Sequence, residues 1–379
     1  MSAYDVAVVG GGIIGLSVAH ALAGRGVGRI VVLERGACGH GSTAKATGGI
    51  RCQFGTEVNV RLSLRSLETF RDWRERVGGD AGYRPVGYVF LATTAAQLDR
   101  LRAGAALQRR LGGRVEVWDA DQARRRLSGV ALDGVVGASY GTDDGLGDPR
   151  AAVGSLLAAC RRRGVEIREG TPVESIELAG GRAAGVTAGG ERLASDLTVV
   201  AAGAWSAPVA RLAGVGLPVE PRHRQAYRAR AVPGLPPWSP LTVDLDSGAY
   251  FHADGDGVVF GGGDRDGVPG FDDRVRAADA PRAVELLTRR LPRLREAPLT
   301  AIRAGLREMT PDDLGVLGPF DEVPGLFAAT GFSGHGFMHA PAAGEIAAAL
   351  ITGAEPPFDV SALSPARFRE RVSVDDYAF

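Results

Sequence analysis

The sequence predicts an α/β fold in which a helix-wound parallel sheet is interleaved with an α+β unit on a mostly antiparallel sheet. Three observations carry this. Near the start, the apolar run Val6-Ala-Val-Val leads into Gly10, Gly12 and Gly15 at G-x-G-x-x-G spacing, followed by an Ala/Leu-rich helical stretch over 13–24. Late in the chain, Leu326-Phe-Ala-Ala-Thr repeats the device: a buried strand, a Gly-rich turn and a helix. Between them lie two β-rich regions whose pattern differs from either end. The opening segment reads as a Rossmann-like βαβ unit. Gly10 permits the tight turn, Gly12 the approach of a pyrophosphate to the backbone, and Gly15 close packing of helix on strand. A second strand over 29–34 ends at Glu34, about 20 residues beyond Gly15, where an acid holds a ribose hydroxyl. Strand, turn, helix and acid in register predict a dinucleotide site, with pyrophosphate on the helix N–H groups.

The remaining elements follow in order. Residues 35–51 are small and polar, with five glycines from Gly36 to Gly49, and read as a loop and short helix lying against a ligand. A helix is predicted over 57–77, with Val60, Leu64, Leu67, Phe70 and Val77 on roughly one face and Gly78-Gly79 ending it. Residues 86–93 and 115–118 read as strands around a helix over 95–111. The chain turns at 141–149, and Pro149 suits the first turn of a helix reaching 163. Short strands over 165–167 and 171–178 precede a hairpin at Gly180-Gly181, and a buried strand over 197–205 ends in a Gly turn. The stretch 222–260 is β-rich, 282–291 helical, and 301–311 a strand and its exit. The last helix is predicted over 341–350, stopped by Gly353. This divides the chain into 1–82, 144–221 and 322–379 for the nucleotide-binding domain, and 83–143 and 222–321 for the substrate domain.

Composition excludes several classes. Lys+Arg and Asp+Glu both number 44, so no net field favours nucleic acid or a membrane surface. Cys38, Cys52 and Cys160 form no Cys-x-x-Cys pair, which argues for reduced thiols and against a zinc site or a disulfide frame. No stretch approaches 18 apolar residues, and no charged-then-apolar leader opens the chain. The expectation is a cytoplasmic protein without metal. Lys45 is the sole lysine, so any role requiring an ammonium group falls to it.

Several further motifs stand in one order: Gly41-Ser-Thr, Gly48-Gly-Ile-Arg, Ala201-Ala-Gly-Ala-Trp, Ala304-Gly-Leu-Arg-Glu-Met-Thr-Pro-Asp and Thr330-Gly-Phe-Ser-Gly-His-Gly-Phe. With Gly10 to Gly15 and Glu34, they resemble the FAD-dependent D-amino-acid oxidase family across nearly the whole chain, in the manner of glycine oxidase and the sarcosine oxidase and proline dehydrogenase beta subunits. The resemblance implies FAD rather than NAD. It places pyrophosphate on Gly12 and Ile13, ribose on Glu34, phosphate on Ser42 and Thr43, and adenine against the Val173 backbone. It adds Arg35, Lys45, Thr47, Gly48, Gly49, Ala202, Gly203, Trp205 and Arg307 along the cofactor. The turn Gly331, Phe332, Ser333, Gly334, His335, Gly336 and Phe337 would wrap the flavin's pyrimidine edge. The implied reaction oxidises a carboxylated amine (a cyclic imino acid, an N-alkyl or another amino acid) to the imine by hydride transfer to flavin N5. The electron acceptor is O2 or another oxidant, and a homo-oligomer or partner subunits fit the family. A 2-hydroxy-acid dehydrogenase, and a FAD-binding subunit without its own turnover, stay open as alternatives.

Site residues follow from the same resemblance. Arg51 and Arg307 match arginines that grip a substrate carboxylate, for which a guanidinium fork is suited. Tyr250 and His252, in Gly-Ala-Tyr-Phe-His, share a strand face, with His252 where the family carries arginine. His335 lies in the turn by the flavin. Met338 replaces the lysine of monomeric sarcosine oxidases, which suits a bulkier, more apolar substrate. Gly305 and Lys45 stand where relatives carry a cysteine or histidine bonded to flavin, so non-covalent FAD is expected, with Lys45 near the isoalloxazine. Val259 stands about where sarcosine oxidases carry the lysine that activates O2, which predicts slow reaction with oxygen.

Overall fold

The computed structural model describes residues 4–230, 232, 234–237, 239–262 and 269–369; residues 1–3 and 370–379, assigned by sequence to the first domain, lie outside these. The chain opens with β1 (Tyr4–Val9), α1 (Ile13–Gly24), β2 (Ile30–Leu33), α2 (Ser42–Lys45), β3 (Gly49–Ile50), α3 (Glu57–Arg71) and α4 (Trp73–Arg76). There follow β4 (Tyr88–Ala92), α5 (Ala95–Arg110), β5 (Val115–Asp119), α6 (Ala120–Arg126), β6 (Gly137–Gly141), β7 (Gly145–Leu146) and α7 (Pro149–Arg162). Next come β8 (Glu166–Arg168), β9 (Val173–Ala179), β10 (Arg182–Ala188), β11 (Glu191–Val200) and α8 (Ser206–Arg211). The rest comprises β12 (Glu220–Arg230), β13 (Leu241–Asp244), β14 (Tyr250–Asp254), β15 (Gly257–Gly261), α9 (Ala280–Thr288), β16 (Leu299–Met309), β17 (Val316–Pro319), β18 (Leu326–Thr330) and α10 (Gly336–Ile351).

Two large sheets organise these elements among the described residues. The first has the order β17-β18-β11-β1-β2-β8. From β18 to β8 every pairing is parallel, while β17 runs antiparallel at the edge and the β9–β10 hairpin extends β11. β2 and β18 are buried at every position, which explains their unbroken apolar sequences. The second sheet has the order β16-β12-β15-β14-β13-β4-β6-β5, antiparallel except between β13 and β4. The mixed architecture agrees with the fold class read from sequence. β17 pairs in the first sheet although it lies in the stretch 222–321 that the sequence gives to the second unit.

The structure departs from the sequence reading at three elements. The helix expected over 57–77 breaks at Asp72 into α3 and α4. The strand expected over 197–205 ends at Val200, and Gly203–Trp205 form a single 3-10 turn. The last helix starts at Gly336 rather than at Pro341, so Phe337, Met338 and His339 are helical and Pro341 is internal. Proline lacks the N–H that bonds within a helix; one residue on, the Ala342 N–H donates to Ser66 Oγ at 3.1 Å. Pro149 does open α7 as expected, and Asp148 caps it by accepting from the Arg150 and Ala151 N–H groups.

Two glycines fix the first turn. Gly10 adopts φ +114°, and a Cβ there would lie 2.4 Å from the Ala201 carbonyl oxygen. A Cβ on Gly15 would lie 2.0 Å from the Gly10 carbonyl oxygen. Neither obstacle is a side chain that can rotate aside. Gly15→Ala is therefore expected to lower unfolding stability by about 2 kcal/mol or more, in the range of overpacked cores, and to reduce the flavin retained on purification. Urea unfolding and the ratio of 450 nm to 280 nm absorbance measure both.

Candidate active site

The N-termini of α1 and α10 open onto one cavity of about 680 Å³ between the two sheets. At one end it is lined by Gly10, Gly12, Ile13, Glu34, Arg35, Ser42, Thr43 and Val173; at the other by Arg51, Tyr88, Tyr250, Arg307, His335 and Met338. Thr47, Gly48, Gly49, Ala202, Gly203, Trp205, Gly334, Gly336 and Phe337 also face it. Four predicted cofactor residues do not. Gly15 acts in packing, as its spacing implied. Gly331, Phe332 and Ser333 sit behind the cavity wall, where Ser333 takes φ +49° and its Oγ accepts the Thr310 N–H at 3.1 Å. They shape the turn that presents Gly334 to Phe337.

At the α1 end, both carboxylate oxygens of Glu34 are engaged. Oε2 accepts the Gly11 N–H and Oε1 the Gly36 N–H, each at 2.9 Å. Glu34 thus ties two loops together, and each oxygen keeps a second lone pair for a hydroxyl donor. The Ile13 N–H, expected to meet pyrophosphate, instead donates to Thr43 Oγ1 at 3.2 Å. Gly12 is open: a Cβ there would meet only Thr43 Oγ1, at 3.6 Å. Ser42 Oγ donates to the Leu306 carbonyl at 2.5 Å and ties α2 to β16. The Arg35 guanidinium lies 3.6 Å from the Trp205 ring centroid. Lys45 Nζ pairs with Asp273 at 2.5 Å, and its chain lies over Gly305.

At the other end, Arg51 is only 3 % exposed. Its guanidinium lies 3.9 Å from the Phe54 ring centroid. Nη1 donates to the Gln53 carbonyl, and Nη2 lies 3.4 Å from His335 Nε2. Burial holds His335 well below the usual imidazole range, and the charges of Arg51, His339 and Arg307 act in the same direction. A neutral His335 whose Nε2 faces an arginine donor carries its proton on Nδ1. Burial pushes Tyr88 up to about 12. Arg307 packs along Gly334, where a Cβ would fall 2.8 Å from its Nε. His252 is the exception among the expected site residues. It shares a face of β14 with Tyr250 but does not line the cavity; it is buried, with Nδ1 at 3.2 Å from the Ala253 carbonyl and Nε2 without a partner. Burial lowers its pKa, so it is neutral.

Sequence reading missed four residues here. Tyr88 lines the wall from β4, and Arg224 and Arg303 line it from β12 and β16. Arg303 was detectable: it lies two residues before Gly305 and four before Arg307, hence on their strand face. Glu308 lines the cavity beside Gly203 and Gly336, on the other face of β16. Burial raises its carboxyl to about 7, with the N–H groups of Glu308 itself and Phe332 pulling the other way.

Against this geometry, the family model described as FAD dependent oxidoreductase matches residues 5–350. The chain belongs to this family. It is 32 % identical to a Bos taurus FAD-dependent oxidoreductase domain-containing protein 1, over 96 % of this chain and 84 % of that protein. It is 30 % identical to glycine oxidase of Geobacillus kaustophilus, over 98 % and 99 %. The structure of L-proline dehydrogenase from P. horikoshii superposes with a TM-score of 0.91 at 28 % identity, covering 97 % and 98 %. FAD is the cofactor of this family, and the residues lining the cavity suit it. Gly12 leaves room at the α1 N-terminus, Glu34 offers lone pairs beside it, and glycines line the route to Arg51.

Arg51 is held from behind. Asp144, fully buried, accepts from the Cys52 N–H at 2.8 Å and from Gln53 Nε2 at 3.0 Å, fixing the two residues after Arg51. Burial raises Asp144 to about 6, against hydrogen bonds from Gln53 and Cys52 and the Arg51 charge. The folded chain thus holds this proton to higher pH than the unfolded chain. Stability from this group falls as pH rises from about 4 to about 6 and is level above, a span of about 3 kcal/mol at most. Asp144→Asn is expected to abolish that slope while lowering stability overall, as chemical unfolding across pH 4–8 would show.

Proposed function

We propose that this chain oxidises a carboxylated amine, namely an N-alkyl, cyclic imino or other amino acid, to its imine, which water then hydrolyses. The observation that carries the reading is the pair Arg51 and Arg307 at the end of the cavity remote from Glu34, with Tyr88, Tyr250 and Met338 around them. FAD, when bound, supplies the hydride acceptor at N5. The chain's part is to grip the carboxylate with two guanidinium groups, orient the carbon bearing the amine and exclude water with apolar walls. His335 accepts from Arg51 and fixes its direction; it is a positioning residue.

The wall also bears on the 2-hydroxy-acid alternative. Removing an alcohol proton requires a base at the reacting carbon. His335 has its Nε2 toward Arg51, His252 lies outside the cavity, and Glu308 faces away from Arg307. An amine reaches its reactive neutral form by losing a proton to water, without such a base. This favours the amine reading. The cofactor is taken as non-covalent, because the Gly305 and Lys45 positions offer no thiol or imidazole. Val259, buried on β15 opposite His252, does not line the cavity, so slow reaction with O2 and a different physiological acceptor rest on the resemblance, this chain having valine there in place of the lysine.

Anaerobic bleaching of the flavin by a panel of D- and L-amino, imino and hydroxy acids tests the reading. Amines are expected to bleach it; reduction by hydroxy acids alone overturns it. Arg307→Met is expected to raise the KM of a bleaching substrate by roughly 30- to 100-fold, the loss of a charge-assisted hydrogen bond. Acid precipitation is expected to leave the yellow colour in the supernatant; a coloured pellet means a covalent bond. Stopped-flow mixing of reduced enzyme with air is expected to show reoxidation slower than with a soluble dye acceptor.

A further inference from the structure

We propose that Arg303 forms a second anion-binding position in the cavity, so that the substrate carries a second acidic group besides the carboxylate held by Arg51 and Arg307. The proposal rests on the amine-oxidation reading for its chemistry and on the following geometry for its place.

Arg303 lines the cavity and makes no hydrogen bond or ion pair among the described residues. Its nearest equivalents differ. Lys45 is paired with Asp273, and Arg224 donates to the His223 carbonyl. The Arg303 side chain is only partly buried and, with no counter-charge among the described residues, is available to an anion that enters the cavity.

The sheet clears a path in front of this residue. In the cross-strand register, Arg303 lies opposite Ala226, Ala226 opposite Gly261, and Gly261 opposite Tyr250. Directly opposite residues of antiparallel strands share a face. Between the arginine and the tyrosine, the face therefore bears only a methyl group and a hydrogen. Tyr250 leans into this gap from the far side, because a Cβ on Gly261 would lie 2.6 Å from its hydroxyl oxygen. Arg303 bounds the row from the near side, and Arg303, Ala226 and Tyr250 all line the cavity. The trough is thus floored by Ala226, with the end of the Tyr250 ring seated over Gly261, and is bounded by a guanidinium and a phenol. The unpartnered His252 Nε2 lies buried alongside.

The spacing suits one molecule with two acidic ends. Arg303 and Arg307 are four residues apart on one strand face, with Cα atoms roughly 14 Å apart, and the alkyl chain of Lys45 lies over Gly305 between them. Each arginine side chain spans part of that distance. What remains fits a short chain of atoms between two carboxylates. The recognised class is an amino acid with a second acid a few bonds away, on its nitrogen substituent or on its side chain.

The test uses FAD-loaded full-length protein. Glutarate and butyrate, which lack an amine and cannot reduce flavin, are titrated while the flavin absorption band is followed. The dianion is expected to bind roughly tenfold more tightly than the monoanion, the worth of one added charge-assisted contact. In Arg303→Gln that ratio is expected to fall toward one, and Arg303→Lys is expected to restore part of it. Equal affinity for the two ligands in the wild type, or a ratio unchanged in Arg303→Gln, overturns the proposal. Flavin bleaching by matched pairs then locates the acid. N-(Carboxymethyl)glycine outpacing N-methylglycine places it on nitrogen, and glutamate outpacing 2-aminobutyrate places it on the side chain; no advantage in either pair counts against the proposal. If no amine bleaches the flavin, the amine-oxidation reading fails, while the binding ratio still decides the role of Arg303.

Discussion

The structure depends on helix α1 being pressed from two sides with no side chain in between. On one side, the space where a Gly15 Cβ would stand is taken by the Gly10 carbonyl, and the space at Gly10 by the Ala201 carbonyl. On the other, a Cβ on Gly344 of α10 would lie 2.5 Å from the Ser17 carbonyl oxygen. Backbone therefore packs on backbone from β11 through β1 and α1 to α10. This brings the N-termini of two helices, distant in sequence, to one cavity. Both present N–H groups and the positive ends of their dipoles to it, an arrangement suited to an anionic cofactor.

Strand β16 divides the cavity's chemistry by simple alternation. Arg303, Gly305 and Arg307 face one way, and Leu306 and Glu308 the other. The first set is basic, with the Lys45 side chain lying over Gly305. The second is apolar apart from Glu308, a carboxyl held close to neutrality beside the glycines of two turns. The strand is fixed by its long pairing with β12 and by the Ser42 hydrogen bond to the Leu306 carbonyl. Helix α2 thereby sets the height of a strand in the second sheet.

Arg51 shows how a buried charge is tolerated. Its guanidinium lies against Phe54, donates to the Gln53 carbonyl and faces a neutral imidazole. Behind it, Asp144, Gln53 and Ser139 form a chain in which Ser139 Oγ donates to Gln53 Oε1 at 2.6 Å. The network holds the backbone after Arg51, so the arginine's direction is set before any ligand arrives. Such preorganisation lowers the ordering cost of binding.

The sequence by itself determined the parallel sheet, its first turn and the acid that follows, because these rest on local periodicity and on glycines whose need is visible within a few residues. It also placed Arg51, Tyr250, Arg307, His335 and Met338 in the cavity wall, through motifs carried whole along the chain. It did not place His252, since a strand face names a side of a sheet and not how far a cavity extends along it. Nor did it foresee that Thr43 would take the Ile13 N–H, that α10 would begin five residues before Pro341, or that Asp144 would stand behind Arg51. The first and last of these are contacts between segments far apart in the chain. Arg303 lies between the two cases. Its face was legible from its distance to Arg307, but that the trough before it holds only Ala226 and Gly261 was decided by the register of three strands, which tertiary packing alone sets.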